Sequence, residues 1–578
     1  MASDDWDHYA MASGAYPVAR APWDFYRFIS ADPIERQALS ASGRLPWWSD
    51  PEIRIAFLRP LASVSIWGDH ALLGTSQRLA HVHSLLWWWL GALAAAAVLR
   101  RLLPSGVALL AVALYAVDDA HALPVAWSAS RAELIAVAAM TWALWAQLEH
   151  QRLGGARHRW LAVALVAVGM LSGEHAVALV PLVLACALAE RDKPLRNRLL
   201  ESLALIAPVL VYLGARAVMG YGTAGSRYYL DPFGEPMRFV RSLDVHVPLL
   251  AADLLLGYAA DYWYSEPPWR DGLLDLGLVP RAWLDAGPLH ELQRGLGLLS
   301  LGVVILAWLA LGRASPARAR PLRWLLAGAL LSLVPLAAAL PMTRLTVGPS
   351  LAFHAAFAWL VATAFDELRS AGPLVRRAGA AVLCIAPLAV HGVHAAVRAR
   401  ELTEHYAADS RTQMAWVARA PLGDRLNGRH VFVLGSSDLA ASFSLPFIRR
   451  FAGASAPATS ELLLPPFSGP LLLQRISPSI LDVSSRSKHG FTEFRASAYR
   501  REDRDLKVGE YLAGPRFSVV VMAERHGVPT RLRFVFARPL EDPAHLFVYP
   551  TDAGLLPLSL PVVGQSRRLP APAWPRPQ

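Results

Sequence analysis

Apolar stretches about as long as a bilayer is thick constrain this chain more than any other feature. A hydrocarbon core of about 30 Å needs about 20 apolar residues in a helix. Trp160–Glu190 would form a helix of about 46 Å, too long for one crossing and short for two. Gly173 and Glu174 lie at its middle, so we predict two short helices that turn at residues 172–175. The other predicted spans are His81–Leu99, Leu102–Val117, Ala132–Leu148, Leu199–Met219, Gly295–Gly312, Leu322–Leu340, Pro349–Phe365 and Ala378–Val397. The sequence thus predicts a polytopic bundle of about ten spans.

The composition agrees with a membrane protein and excludes an ordinary soluble globular protein. Hydrophobic residues make up 54% of the 578 residues and charged residues only 17%, whereas soluble domains average about 25% charged. The net charge of +11 comes almost entirely from arginines in short loops rather than in one stripe, so no nucleic-acid partner is predicted. Cys186 and Cys384 lie inside apolar runs, which leaves no disulfide framework or thiolate metal site.

The arginine clusters also predict an orientation, because cytoplasmic loops of membrane proteins are enriched in Lys and Arg. With Trp160–Glu190 as a hairpin, every short arginine cluster falls on one side of the membrane. Residues 1–80, 118–131 and everything after Arg398 then lie outside a bacterial inner membrane. A full crossing by Leu249–Tyr264 would break this pattern, so we predict an interfacial or re-entrant helix there. Trp263, Tyr264 and Trp269 would lie at headgroup depth.

The character of the sequence changes after residue 398. We predict a bundle over 81–398, a linker over 399–429, a small β-rich extracytoplasmic domain over 430–565 and a disordered Pro-rich tail over 566–578. Strand-like runs occur at His430–Leu434, Phe517–Met522, Arg531–Phe536 and Leu546–Tyr549, with Gly527 and Pro529 at a hairpin turn. The fold class is therefore mostly α, a membrane helical bundle followed by a β-rich domain.

Charged motifs are set against the apolar segments between residues 59 and 131. Arg59-Pro60-Leu61 precedes an apolar helix, Asp118-Asp119-Ala120-His121 follows one, and Val125-Ala126-Trp127 leads to Ser128-Ala129-Ser130-Arg131. Charge at membrane depth is costly and by default indicates function. The order of these motifs resembles that of the lipid-linked sugar transferases of the GT-C superfamily, and most closely that of protein O-mannosyltransferase-like proteins and their tetratricopeptide-bearing relatives.

The resemblance implies a bundle of GT-C type that transfers a sugar, with inversion, from a polyprenyl-phosphate donor to an envelope acceptor on the outer face. Such enzymes place an acidic base in the first outer loop, and the sequence resembles that arrangement at Asp4-Asp5, with Asp5 favoured. Residues 1–80 would form this loop. Since members of the superfamily begin with a helix that delivers the loop, we expect a helix upstream of Met1. In the alternative, Asp4 and Asp5 belong to a solvated tail translocated by the next helix.

Three arginines are candidate ligands of the donor phosphate, because guanidinium offers a planar bidentate fork. Arg59 belongs to the Arg-Pro-Leu element and Arg131 to the Ser-x-Arg turn. Arg344 lies in a segment that resembles the Arg-Tyr-x-x-Pro-Ser element of the family, although the tyrosine is absent. The alternative for Arg131 and Arg344 is that they reach lipid headgroups.

Asp118, Asp119 and His121 are candidate ligands of a divalent metal, Mg²⁺ or Mn²⁺, bridging the donor phosphate to the protein. Adjacent carboxylates repel unless a cation separates them. Relatives often have His-Pro at Asp118-Asp119, and a helix cap or an ion pair with Arg131 is the alternative.

The other intramembrane polar residues are Glu174 and His175. Ser172-Gly173-Glu174 resembles the Ser-Lys-Glu turn of the family with glycine in place of lysine. Glu174 is expected to pair with Arg131, Arg216 or His175.

Two other kinds of protein fit the same pattern. The helices could be a degenerate GT-C scaffold whose β-rich domain binds an envelope partner without catalysis, and the losses at the Ser-Lys-Glu and Arg-Tyr positions favour this. A lipid-linked glycan polymerase or transporter shares the layout. Membrane lipids are partners in every case.

Overall fold

A computed structural model describes residues 3–190, 193–263, 286–313, 316–370, 372–435, 443–467, 469–487, 490–551 and 554–573. Helices are numbered here in chain order: α1 Ser3–Ala12, α2 Pro33–Ser42, α3 Pro60–Leu73, α4 Gln77–Leu102, α5 Ser105–Val117, α6 Ala122–Ala126, α7 Arg131–Leu153, α8 Ala156–Ser172, α9 His175–Ala189, α10 Leu195–Val218, α11 Pro236–Leu256, α12 Ala286–Arg313, α13 Pro316–Leu336, α14 Val347–Arg369, α15 Leu374–Pro387, α16 Ala395–Ala418, α17 Leu445–Phe451 and α18 Glu493–Ala496.

The strands are β1 Arg27–Ile29, β2 Arg54–Ala56, β3 Gly222–Ala224, β4 His430–Val433, β5 Thr459–Leu462, β6 Leu471–Ser477, β7 Ile480–Ser485, β8 Tyr511–Ala513, β9 Phe517–Arg525, β10 Val528–Phe536, β11 His545–Thr551, β12 Gly554–Pro557 and β13 Ser566–Leu569.

The chain divides into two compact units. The helical unit comprises Leu58–Met219 and Leu230–His405, and the mixed unit comprises Met1–Phe57, Gly220–Tyr229 and Tyr406–Gln578. Residues 1–57 and the C-terminal β-rich region, which the sequence separates by the whole bundle, thus fold together in the mixed unit.

In the helical unit, every predicted span coincides with a helix, but the predicted count of about ten spans is wrong. Among the described residues, six helices are long and apolar enough to cross a membrane, or seven if the bent pair Ser105–Val117 and Asp119–Ala126 is one span. The two predicted hairpin helices exist, with 17 residues in α8 and 15 in α9. At 1.5 Å per residue, each is shorter than a core of about 30 Å. Like α8 and α9, α7 is not among the candidate spans of the described residues. It carries several charges along its length.

The core of the helical unit lies around α7 and α14. α7 packs against α4, α8 and α9, and alanines along most of its length are buried. Small residues allow this close approach. A Cβ added at Gly348 in α14 would lie 2.2 Å from a methyl carbon of Leu179 in α9, so α14 and α9 pack closely there.

The predicted interfacial helix corresponds to α11 and a 3₁₀ turn at Ala260–Trp263. α11 is not one of the candidate spans among the described residues. Its location at the interface stays a prediction, and Tyr264 and Trp269 lie outside the described residues.

The C-terminal part of the mixed unit is β-rich, as predicted. A six-stranded antiparallel sheet has the order β13-β6-β7-β10-β9-β8, and a four-stranded sheet has the order β12-β11-β4-β5. In the four-stranded sheet, β11 and β5 both pair parallel with β4. Phe432 contacts Phe547 of its own sheet and Phe517 of the six-stranded sheet, so one aromatic core serves both sheets.

The predicted hairpin turn is confirmed. β9 and β10 pair antiparallel, with Val528 opposite Arg525. His526 and Gly527 have φ of 52° and 74°, the two positive values that a type I′ turn requires. The predicted alternation along β10 is also present, since Leu532, Phe534 and Phe536 are buried while the residues between them are partly exposed.

Candidate functional site

In the helical unit, each of the three predicted arginines lies at or just before the start of a helix. Arg59 is the N-cap residue of α3, Arg131 is the first residue of α7, and Arg344 lies in a 3₁₀ turn, Thr343–Thr346, that leads into α14. Each one contacts a carboxylate within this unit. None of the three therefore serves mainly as a headgroup anchor, which was the alternative for Arg131 and Arg344.

Arg131 is fully enclosed and uses every nitrogen of its guanidinium. Its side chain is 1% exposed and its Nη1 lies 2.5 Å from Oδ2 of Asp69. Its Nε donates to the hydroxyl of Ser84 at 3.0 Å, and its Nη2 donates to the carbonyl oxygen of Ala80 at 2.7 Å. These bonds tie the start of α7 to α3 and α4. A phosphate could reach Arg131 only if such bonds broke, so the geometry favours a structural role over the predicted phosphate contact.

Arg59 and Glu174 form the second pair. Nε of Arg59 donates to Oε2 of Glu174 at 2.6 Å, and the side chains are 13% and 26% exposed. Glu174 therefore pairs with Arg59 rather than with Arg131, Arg216 or His175 as predicted. The predicted turn positions Glu174, because α8 ends at Ser172 and α9 begins at His175.

Arg344 belongs to a third group that borders a cavity. Its guanidinium contacts the carboxylate of Glu133, and Nε2 of His175 lies 3.2 Å from the same carboxylate. Glu133 is 2% exposed, and its oxygens accept no hydrogen bond of good geometry within the described residues. Glu133, His175 and Arg344 all line a small cavity with apolar walls. Arg344 thus pairs with a buried carboxylate and borders an adjoining space.

The predicted metal ligands lie on the bend between α5 and α6. Oδ1 of Asp118 accepts from the backbone N–H of Ala120 at 2.8 Å, so this residue caps the 3₁₀ turn Asp119–His121. The ring of His121 lies edge-on to that of Tyr115 at 4.8 Å. Asp118 therefore takes the capping role that the sequence left open, while the ring of His121 contacts an aromatic residue.

Both carboxylates have side-chain partners within the helical unit. Oδ2 of Asp118 lies 3.1 Å from Nε2 of His354, and Oδ2 of Asp119 lies 2.7 Å from Nη1 of Arg398. Within the described residues, no three His, Cys, Asp or Glu side chains converge as metal ligands do. In this arrangement the residues do not fit a divalent metal, because Arg398 already supplies a positive charge beside Asp119 and no further ligands converge there among the described residues. The metal stays a prediction.

Asp118 and Asp119 line a second small cavity together with a carboxylate that sequence reasoning missed. Asp253, in the last turn of α11, is 5% exposed and lines this cavity with His391 and His394. The two histidines belong to a π-helical segment, Leu388–His394, between α15 and α16; such segments often occur at functional sites. The signal was present in the sequence, since Asp253 is the only charge in Leu249–Leu256.

Asp4 and Asp5 lie in the mixed unit, in the first turn of α1. Asp5 is 6% exposed, so it is not part of a solvated tail. The neighbouring Trp6 packs edge-on against Phe451 of α17 at 5.4 Å. Asp7, one turn along, pairs with Arg44, and burial raises the pKa of its carboxyl. The role of Asp5 as a base stays a prediction.

Comparisons with known proteins give a distant likeness of fold. No family model and no curated protein matches the sequence. Two solved structures of ArnT from Cupriavidus metallidurans are similar. The one bound to undecaprenyl phosphate has 15% identity, a TM-score of 0.34, and coverage of 77% of this chain and 82% of that chain. The apo structure has 16% identity, a TM-score of 0.33, and coverage of 74% and 81%. At this distance the likeness assigns neither a family to the chain nor a role to any residue.

Proposed function

We propose that this chain is a membrane glycosyltransferase that moves a sugar from a polyprenyl-phosphate donor to an acceptor in the cell envelope. The order of the motifs between Arg59 and Arg131, which resembles that of GT-C transferases, supports the reaction class. The helical unit supports a lipid-linked donor, because its candidate spans would place the site beside the bilayer.

The observation that carries the proposal is the Glu133–His175–Arg344 group. A carboxylate 2% exposed within a helix of a membrane bundle is costly. Glu133 would be retained despite this cost because it keeps Arg344 charged and oriented beside the cavity. The departing polyprenyl phosphate gains negative charge during transfer, and a preorganised guanidinium in a site shielded from water stabilises such charge strongly.

Arg344 and Arg59 are therefore the proposed phosphate ligands, and Arg131 holds the scaffold. A carboxylate takes the proton of the acceptor hydroxyl, and the resemblance nominates Asp5 for this step.

The test is complementation of a knockout strain, with the glycan of the envelope as the readout. Arg344→Ala should lower transfer about 10²–10³-fold and weaken donor binding, since the contact is made both before and after transfer. Arg344→Lys should restore only part of the activity, because an ammonium cannot form the bidentate fork.

Arg400→Ala is the matched control. Arg400 pairs with Glu404 at 2.8 Å as Arg344 pairs with Glu133, but its side chain is 78% exposed. The control should complement fully. Full complementation by Arg344→Ala as well would support the non-catalytic scaffold instead.

A further inference from the structure

Three carboxylates meet at the cavity beside the Asp118–Asp119 bend. Asp118, Asp119 and Asp253 line it, and the space between them has room for about one water molecule. Each is at most 9% exposed. Such a concentration of negative charge in a membrane bundle is costly unless each carboxylate has a partner or a task.

Two of the three have partners. Asp118 faces His354 at 3.1 Å and Asp119 faces Arg398 at 2.7 Å. Within the described residues, Oδ2 of Asp253 is buried and accepts no hydrogen bond. An unsatisfied buried acceptor destabilises the fold, and more so when it is charged. Of the three, Asp253 is the carboxylate with an oxygen available to a molecule in the cavity.

A single turn connects this cavity to the proposed phosphate ligand. Arg344 and Thr346 both belong to the 3₁₀ turn Thr343–Thr346. Arg344 lines the cavity of Glu133 and His175, whereas Thr346 lines the cavity of Asp253. Two residues of chain span at most about 7 Å, so this one turn contributes to the lining of both cavities.

The end of α11 fixes Asp253 at its place. The helix terminates at Gly257, which has φ of 61° and ψ of 23°, and the N–H of Gly257 donates to the carbonyl oxygen of Asp253 at 3.0 Å. A Cβ on Gly257 would lie 2.8 Å from a methyl carbon of Val390 in the π-helical segment. The backbone of Asp253 is therefore held by a C-cap that only glycine fits well.

We propose that Asp253, rather than Asp5, is the general base of the transfer. The inference rests on the glycosyltransferase function proposed above. The acceptor hydroxyl gives its proton to Oδ2 of Asp253 while its oxygen bonds to the anomeric carbon of the donor sugar. The bond from that carbon to the phosphate oxygen breaks, and its electron pair leaves with the polyprenyl phosphate, which Arg344 stabilises. Asp253 ends protonated and returns the proton to water.

The experiment compares full-length variants in proteoliposomes, with a polyprenyl-phosphate sugar as donor and envelope extract from the knockout as acceptor. Asp253→Asn should lower kcat about 10²–10⁴-fold while the donor KM stays near the wild-type value. Asp253→Ala should regain part of its activity on addition of formate, which can occupy the space and accept the proton. Asp244→Asn is the matched control on the same helix, since Asp244 is 58% exposed and pairs with Arg294. It should retain full activity.

The outcomes separate this inference from the proposed function. Wild-type kcat in Asp253→Asn, or an inactive Asp253→Ala that formate does not rescue, overturns the inference. If Asp5→Asn alone loses kcat, Asp5 is the base and the glycosyltransferase function stands. If Arg344→Ala, Asp5→Asn and Asp253→Asn are all fully active, the proposed function itself fails.

Discussion

A buried acid–base pair in the mixed unit makes the stability of the protein depend on pH. His430 of β4 and Glu461 of β5 are 7% and 3% exposed, and Nε2 of the histidine lies 3.5 Å from Oε2 of the glutamate. Burial raises the pKa of Glu461 to about 7, against a weaker opposite effect of Arg516. Burial lowers the pKa of His430 to about 3. Near pH 6 the folded protein therefore keeps both groups neutral, although they are adjacent.

The sign and size of the effect follow from these values. The pKa of Glu461 rises from 4.5 when unfolded to about 7 when folded. Between these pH values the folded state binds more protons, so the free energy of unfolding falls as pH rises. The glutamate contributes a loss of roughly 3 kcal/mol in total by pH 8. His430 acts in the opposite direction, because its lowered pKa costs stability as pH falls from 6.5 towards 3.

Glu461→Gln isolates the contribution of this glutamate to the pH dependence of stability, since glutamine has a similar shape and does not titrate. We expect the wild type to lose roughly 3 kcal/mol relative to this variant between pH 4.5 and pH 8. Denaturant unfolding of the full chain in detergent, followed by fluorescence of the buried Trp47 and Trp48 in the same unit, measures the difference. Glu502→Gln is the exposed control, with a side chain 56% exposed. Parallel pH profiles for the wild type and Glu461→Gln would refute the reasoning.

Two further predictions concern the helical unit. Arg131→Met should destabilise the protein by about 3–5 kcal/mol, because it leaves the buried Asp69 without its main cation; thermal unfolding in detergent measures this, and an unchanged midpoint would contradict the structural role. Gly257→Ala should lower the free energy of unfolding by about 1–2 kcal/mol because of the left-handed backbone, and the close approach to Val390 should lower it further. Gly295→Ala is the control, because a Cβ added there meets nothing within 4 Å.

The sequence predicted the helices better than the spans. Apolar length is a local property, so each predicted segment is helical in the structure. Crossing a bilayer also requires that few charges lie inside the segment. α7 contains Arg131, Glu133 and Glu149, each of which is at most 2% exposed. Apart from the local pair of Glu149 with Arg152, their partners come from α3, α4, α9 and the turn Thr343–Thr346, and no local pattern reveals these.

The same limit explains which charged residues the sequence could single out. Arg59, Arg131, Arg344 and Glu174 were singled out because a charge beside an apolar run is visible in the sequence. The counter-ions Asp69, Glu133 and Arg398 are 62, 211 and 279 residues away from their partners, so their pairing depends on the tertiary fold. Asp253 was missed because its helix was interpreted only as an interfacial segment.

The partners of Arg131 and Arg344 differ in kind within the helical unit. Arg131 donates to two serine hydroxyls, a carbonyl oxygen and Asp69, and its bonds to neutral groups cannot be exchanged for a phosphate without leaving buried donors unsatisfied. Arg344 depends mainly on a carboxylate, and a carboxylate and a phosphate present similar oxygens to a guanidinium. Exchange of Glu133 for a phosphate therefore conserves the bonding of Arg344. It leaves the buried Glu133 beside His175 without its guanidinium partner, so we predict that donor binding is accompanied by uptake of a proton at that pair.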